Sequence, residues 1–233
     1  VTIQLPDAIS AYLFDLDGVL TQTAKVHFKA WKQTFDEELH RRAGDGYQAF
    51  TQDDYNDYVD GKPRYDGVQS FMQSRGYDLS EDEIHQIGDR KNDLVLKLID
   101  EGHVEAYDGS VRFLQAARAA GKRTAVVSSS ANCQAVIRAV DIEQYLEVRV
   151  DGTTIEQEHL HGKPAPDSFL AAARKLGVEP AHAAVFEDAL AGVEAGRAGH
   201  FGVVVGVDRV NHAQALSDHG ATIVVQDLEE LLG

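Results

Sequence analysis

Residues Phe14 to Thr21 read FDLDGVLT. Asp15 and Asp17 stand two apart, directly after the apolar run Ala11-Tyr12-Leu13-Phe14 and directly before Gly18. Four apolar residues in a row read as a buried strand. In open α/β sheets, ligands bind beyond the carboxyl ends of the strands. Residues two apart in extended chain point the same way. Asp15 and Asp17 can therefore address one substrate, the first as nucleophile and the second as general acid and base. Gly18 permits a tight backbone there.

The same arrangement recurs along the chain. The stretch Thr124–Ser130 (TAVVSSS) reads as a buried strand running into Ser128, Ser129 and Ser130. The run Ala183–Phe186 (AAVF) leads into Glu187 and Asp188. Leu146–Val150, Gly202–Val207 and Ile223–Val225 read as further strands. Between them lie helix-like segments at Ser110–Ala120, Asn132–Val140, Pro166–Leu176 and Ala189–Gly196, and Lys163 precedes the third. Apolar runs alternating with helices spell a parallel sheet covered on both faces.

The alternation begins at residue 11, pauses from about 25 to 103, and resumes. The pause holds helical patterns instead. One carries Val26, Phe28, Ala30, Trp31, Phe35 and Leu39; others cover Val68–Ser74 and Asp82–Ile99. Ser80 with Glu83 three residues later reads as a capping box. Arg42 to Tyr65 is rich in Gly, Asp and Tyr and weakly periodic. The expected fold is α/β: a Rossmann-like parallel-sheet core, residues 1–24 and 104–233, with an inserted α-helical cap, residues 25–103.

The 233 residues, 43% of them hydrophobic, suffice for one sizeable core plus a small satellite domain. The formal net charge of −16 argues against a general nucleic-acid or anionic-membrane binder, because the mean field repels polyanions. The single Cys133 excludes an internal disulfide and fits a reducing cytoplasm; it reads as an inert small residue. No apolar stretch approaches the ~18 residues of a membrane span, so a cytoplasmic protein is expected.

Four carboxylates (Asp15, Asp17, Glu187 and Asp188), a Ser128 hydroxyl and Lys163 would thus converge on one sheet edge. Two like charges ~4 Å apart repel by about 4 kcal/mol at an effective dielectric of ~20. Four ionised carboxylates need a cation among them, and a hard divalent ion with oxygen ligands, Mg²⁺, answers that need. A phosphoryl group suits such a site, since its transfer is mostly positioning and charge neutralisation. Taken singly, each residue has a bland reading: a helix N-terminal acid pair for Glu187-Asp188, a turn residue for Ser128, a solvated loop cation for Lys163. A calcium-loop reading of Asp15-Leu16-Asp17-Gly18 fails, because Val19 and Val26 stand where oxygen ligands would be required. Joint occurrence, each at a strand end or loop, favours the phosphoryl site.

The motifs FDLDG (14–18), VVSSS (126–130), GKPAPD (162–167) and FEDALAGVEAG (186–196) together resemble the haloacid dehalogenase superfamily of phosphotransferases. Within it the chain is similar to the β-phosphoglucomutase subgroup, whose helical cap is inserted after the first motif. His27 and Trp31, the G-x-x-R-x-D pattern at Gly61, Arg64 and Asp66, and Lys91-Asn92 carry that likeness. The resemblance implies that Asp15 is phosphorylated and binds Mg²⁺, and that Asp17 is the acid/base with its carbonyl on the metal. Glu187 and Asp188 would complete the metal site. It further implies that Ser128 and Lys163 hold the transferring phosphate. Arg64, Ser130 and Asn132 would bind the distal phosphate of a sugar bisphosphate. His27 and Lys91 would position Asp17 or the sugar from the cap, and Trp31 reads as cap core. Two departures stand out: Ala131 where the subgroup commonly has Lys, which Lys62 could replace, and Gln22 where Asp is usual.

Three functions follow. A mutase would interconvert β-glucose 1-phosphate and glucose 6-phosphate through phosphorylated Asp15 and a bisphosphate. A phosphatase would pass the phosphate to water. A non-catalytic phosphosugar-binding module would not need both Asp15 and Asp17. Dehalogenase relatives lack the second aspartate. The expected partner is a small sugar phosphate, bound by a monomer.

Overall fold

The computed structural model describes residues 2–59, 62 and 64–233, with Asn56 described by its backbone alone. Gly61 of the expected cap motif, with Asp60 and Pro63, lies outside the described residues. The chain divides into two compact units, Val1–Thr23 with Val104–Gly233, and Ala24–His103.

The first unit is built on six parallel strands: β1 (Ala11–Phe14), β2 (Arg123–Val127), β3 (Val148–Val150), β4 (Ala183–Glu187), β5 (Val203–Val207) and β6 (Ile223–Val225). Their order is β3-β2-β1-β4-β5-β6. Central β1 is buried along its whole length, which is why it reads as an unbroken apolar run. Its alternate residues serve opposite faces. Ala11 and Leu13 join a cluster with Phe169, Ala172 and Leu176 of α8 (Asp167–Leu176) and Val193 of α9 (Leu190–Ala198). Tyr12 and Phe14 face α5 (Asp108–Ala119), where Phe14 stacks on Phe186 at 4.6 Å and Tyr12 lies 5.6 Å from Phe113.

Register fixes the site. Phe14 pairs with Val126 on one side and with Phe186 on the other. The next residues, Asp15, Val127 and Glu187, therefore stand level at one edge. The Asp15 N–H donates to Phe186 O at 2.9 Å, so the strand geometry holds through the aspartate.

The second unit packs α1 (Thr23–Ala43), α2 (Gln52–Tyr58), α3 (Arg64–Ser74) and α4 (Glu81–Asp100) around Trp31, Phe35, Phe50, Phe71 and Met72. Trp31 stacks on Phe35 at 4.9 Å and is a core residue, as expected. The Ser80–Glu83 capping box forms at the start of α4. Glu38, buried on α1, receives hydrogen bonds from Arg41, Arg42 and Arg90. Burial opposes its charge, but these three arginines hold its pKa down to about 2.

Three short helices depart from the sequence reading: α2 inside the weakly periodic stretch, α7 (Gly152–Gln157), and α10 (Ala213–His219). Helices this short are poorly nucleated alone, and side chains tie their first turns. Thr51 and Asp54 form a capping box on α2. Asp151 accepts from the Thr154 N–H on α7. Asp208 accepts from the Ala213 N–H at the start of α10. The remaining α6 (Cys133–Ala139) lies within the expected helix. Among the described residues no helix is long and apolar enough to cross a membrane.

Candidate active site

Asp15, Glu187 and Asp188 gather at the carboxyl edge of β1 and β4. One oxygen from each carboxylate lies within 4.8 Å of the others. At that separation and an effective dielectric of ~20, each ionised pair repels by about 3 to 4 kcal/mol. Lys163 offsets part of this. Its ammonium bonds Asp15 Oδ1 and lies 2.6 Å from Glu187 Oε1, and it donates to Val127 O at 3.2 Å. Burial lowers the Lys163 pKa, but the charges of Asp15 and Glu187 outweigh it and raise the pKa well above that of a free lysine. Burial also pushes Glu187 up to about 7, against the pull of Lys163. Burial, then the charges of Glu187 and Asp15, push Asp188 up as well. One ammonium is too little charge for three carboxylates. The donor set, all hard oxygen, fits a hard divalent cation.

Two glycines make the close packing possible. Gly18 has φ +82°, and a Cβ there would lie 1.8 Å from Asp188 Oδ2. Backbone sign and space both demand glycine. In the first turn of α9, a Cβ on Gly192 would lie 1.8 Å from Glu187 Oε1. Glu187 Oε2 accepts the Ala189 N–H at 3.1 Å, which anchors that carboxylate at the helix start.

Asp17 is outside this three-carboxylate group, although its charge also acts on Asp188. Its carboxylate accepts a hydrogen bond from Thr23 Oγ1, which also lies 3.1 Å from Thr21 Oγ1. The two aspartates of the opening motif thus occupy different environments. Thr23 was not singled out in the sequence. Its signal was its place six residues after Asp17, at the first position of α1.

Ser128 is buried after β2, and its Oγ accepts the Ser130 N–H at 3.1 Å. Ser130 Oγ accepts the Asn132 N–H at 3.1 Å. The hydroxyls therefore shape a compact turn that ends at the start of α6. Gly152 backs this turn, with space for a Cβ closed off by Ser129 O and Ala131 N at 2.7 Å. Cys133 is buried beneath it, and burial pushes its thiol pKa up, as expected of an inert cysteine.

In the helical unit, Lys91 Nζ lies 2.8 Å from His27 Nδ1 and 4.7 Å from the centre of the Trp31 ring. Burial first, then the charges of Lys91 and Arg64, lower the His27 pKa to about 3. The imidazole is neutral at physiological pH. With Nδ1 accepting from the ammonium, Nε2 carries the hydrogen. Arg64 Nη2 donates to Asn92 Oδ1 at 2.8 Å, and its Nη1 lies 3.6 Å from Asp89. A Cβ on Gly88 of α4 would lie 2.7 Å from the Tyr65 ring and 3.2 Å from Arg64 Cδ, so this glycine lets α4 approach Arg64. Lys62 donates to Ser70 Oγ at 2.7 Å.

A parallel α/β sheet with a carboxylate cluster and a lysine at its carboxyl edge is the architecture of a phosphoryl-handling enzyme. The chain belongs to the haloacid dehalogenase-like hydrolase family, whose model matches residues 9–200. It is 50% identical to a β-phosphoglucomutase of Mycobacterium bovis over 98% of this chain and 93% of that protein. It is 33% identical to a β-phosphoglucomutase of Bacillus subtilis, over 96% and 92% of the two chains. The crystal structure of a β-phosphoglucomutase from Clostridium difficile is similar at 26% identity with a TM-score of 0.78, covering 96% of this chain and 93% of that one.

Proposed function

We propose that the protein is a β-phosphoglucomutase, interconverting β-glucose 1-phosphate and glucose 6-phosphate through an aspartyl phosphate on Asp15 and a hexose bisphosphate. The observation that carries the phosphoryl chemistry is the split between the two aspartates. Asp15 sits against Lys163 and within the carboxylate cluster, while the Asp17 carboxylate accepts a hydrogen bond from Thr23. Two acids in different environments suit two different roles. The near-full-length likeness to a β-phosphoglucomutase favours the mutase over hydrolysis.

In this reading the free hydroxyl of β-glucose 1-phosphate attacks the phosphorus carried on Asp15 while Asp17 takes its proton, and the bond to the Asp15 carboxylate breaks. The hexose bisphosphate then turns round. An Asp15 carboxylate oxygen attacks its other phosphorus, the bond to the sugar oxygen breaks, and Asp17 gives that oxygen the proton. Lys163 and the Ser128 hydroxyl hold the equatorial oxygens of the moving phosphoryl group, where charge develops. Mg²⁺, held by Asp15, the Asp17 carbonyl, Glu187 and Asp188, would neutralise the phosphoryl oxygens when bound. Arg64, Ser130 and Asn132 hold the phosphate that is not reacting, with Arg64 supplying a planar donor fork. Neutral His27 donates from Nε2, and Lys91 fixes its tautomer. Transfer to the sugar rather than to water needs water kept from the aspartyl phosphate. A soluble hexose phosphate as substrate fits a cytoplasmic monomer.

A phosphatase uses the same aspartyl phosphate and gives it to water. Ala131, which removes the cation common at that position, favours this second reading. A coupled assay separates the two. β-Glucose 1-phosphate, Mg²⁺ and a trace of glucose 1,6-bisphosphate are supplied, and glucose 6-phosphate and free phosphate are followed together. Glucose 6-phosphate well ahead of phosphate is expected; phosphate without isomerisation would replace the mutase with the phosphatase.

A further inference from the structure

Arg209 lies two residues past β5, far in sequence from the opening motif, yet its guanidinium reaches it. Nε donates to Gly18 O at 2.9 Å. Nη1 donates to Gln226 O at 2.6 Å and to Asp227 Oδ2 at 3.1 Å. The flat face of the group lies over the Tyr107 ring, 3.6 Å from its centre. The side chain is only 17% exposed. A planar cation with several fixed donors can meet all of these at once; a lysine cannot.

The loop it grips needs gripping. Leu16 to Thr21 carries Asp17, and Gly18 at φ +82° is its most flexible joint. Farther along, Val19 O accepts from Ser110 Oγ at 2.7 Å and Leu20 O from the Tyr107 N–H at 3.0 Å. Next to Asp17 itself, the Gly18 N–H closes on Thr21 O within the loop. The bond from Arg209 anchors Gly18 to the far half of the sheet. Arg209 is itself braced from behind. The buried Asp208 carboxylate accepts the N–H groups of Val210, His212 and Ala213 at 3.2, 2.9 and 3.1 Å. The β5 loop is thereby closed on itself, and the β1 loop is fixed against it through a charge-assisted hydrogen bond.

We propose that Arg209 is a positioning residue for the acid/base: it holds the Asp17–Gly18 backbone so that the Asp17 carboxylate meets the sugar oxygen. This rests on the reading of Asp17 as the acid/base. Orientation of that kind is sensitive, since a misplacement of ~1 Å can cost about a hundredfold in rate.

The test uses two phosphoryl donors with the full chain and Mg²⁺. Acetyl phosphate transfers its phosphoryl group to Asp15 and releases acetate, which departs as a carboxylate without a proton. A sugar oxygen must receive one as it leaves. Arg209→Lys is expected to keep the rate of Asp15 phosphorylation by acetyl phosphate within about threefold, while turnover of β-glucose 1-phosphate falls by about tenfold to a hundredfold. Asp17→Asn is expected to show the same selectivity, more deeply. The double variant should be no slower than Asp17→Asn alone, because Arg209 acts through Asp17. If Asp17→Asn loses both donors equally, the acid/base reading is wrong. If Asp17→Asn is selective but Arg209→Lys loses both donors equally or loses neither, the positioning role is overturned. Asp227→Asn, which slackens Arg209 from its far side, provides a second variant should Arg209→Lys not fold. It is expected to give the same selectivity with a smaller loss, and an unselective loss or none would count against the proposal.

Discussion

Replacing Gly192 with alanine sets two physical effects of opposite sign against each other. Gly192 lies in the first turn of α9, and helix propensity alone makes alanine better there by about 1 kcal/mol. The site says otherwise. The new Cβ would fall 1.8 Å from Glu187 Oε1, 1.9 Å from Cδ and 2.5 Å from Oε2. Either the helix start or the carboxylate must move. If the carboxylate moves, it leaves the Ala189 N–H at 3.1 Å and Lys163 Nζ at 2.6 Å. Hydrogen bonds to charged groups contribute about 1.5 to 3 kcal/mol each. Losing both outweighs the propensity gain by about 2 to 5 kcal/mol. For a chain of this size each kcal/mol shifts the midpoint by about 2 to 4 °C, so Gly192→Ala should melt about 4 to 20 °C below the parent. Thermal and urea unfolding read this directly. The decisive comparison repeats the substitution in a Glu187→Ala background, where the clash is gone. There Gly192→Ala should raise the midpoint by up to about 4 °C. A gain in stability in the parent, or the same shift in both backgrounds, would refute the reasoning.

Asp188→Asn removes one of three crowded carboxylates, so the metal-free variant should melt higher than the parent at neutral pH. Added Mg²⁺ should raise the midpoint of the parent much more than that of the variant; equal responses would remove Asp188 from the ion's ligands. The His27 pKa lies near 3 in the folded chain against an ordinary value near 6.5. Its stability contribution is therefore complete above about pH 6.5 and is lost as the pH falls toward 3. Its ring carbon resonances should stay flat between pH 8 and 5 by NMR, and a midpoint inside that window would contradict the Lys91 contact as drawn.

Much of the site could be read from the sequence because the fold writes it in one place. Strands buried on both faces are unbroken apolar runs, so β1 and β4 stood out, and the polar residues after β1, β2 and β4 marked the working edge. Asp15, Glu187, Asp188 and Lys163 come together in space as their positions at strand ends and in the neighbouring loop implied. The helices α2, α7 and α10 were not legible, because single side-chain caps hold them rather than a long periodic face. Thr23 was missed because a threonine opening a helix reads as ordinary helix chemistry until its partner, Asp17, is seen. Arg209 was invisible for a different reason. Its partners are Gly18 O, Gln226 O, Asp227 and the face of Tyr107, from three distant segments. Backbone carbonyls leave no mark in a sequence. Lys62 donates to Ser70 within its own unit.

The central claim is that the phosphoryl group rides on Asp15. The most direct measurement mixes the enzyme with Mg²⁺ and radiolabelled glucose 1,6-bisphosphate, quenches in acid within one turnover, and reduces the acyl phosphate with borohydride. Peptide mapping then locates the reduced residue. The account predicts label on the enzyme and reduction at Asp15, with both absent from Asp15→Asn. Label mapping to another side chain, or full isomerase turnover by Asp15→Asn, would contradict it.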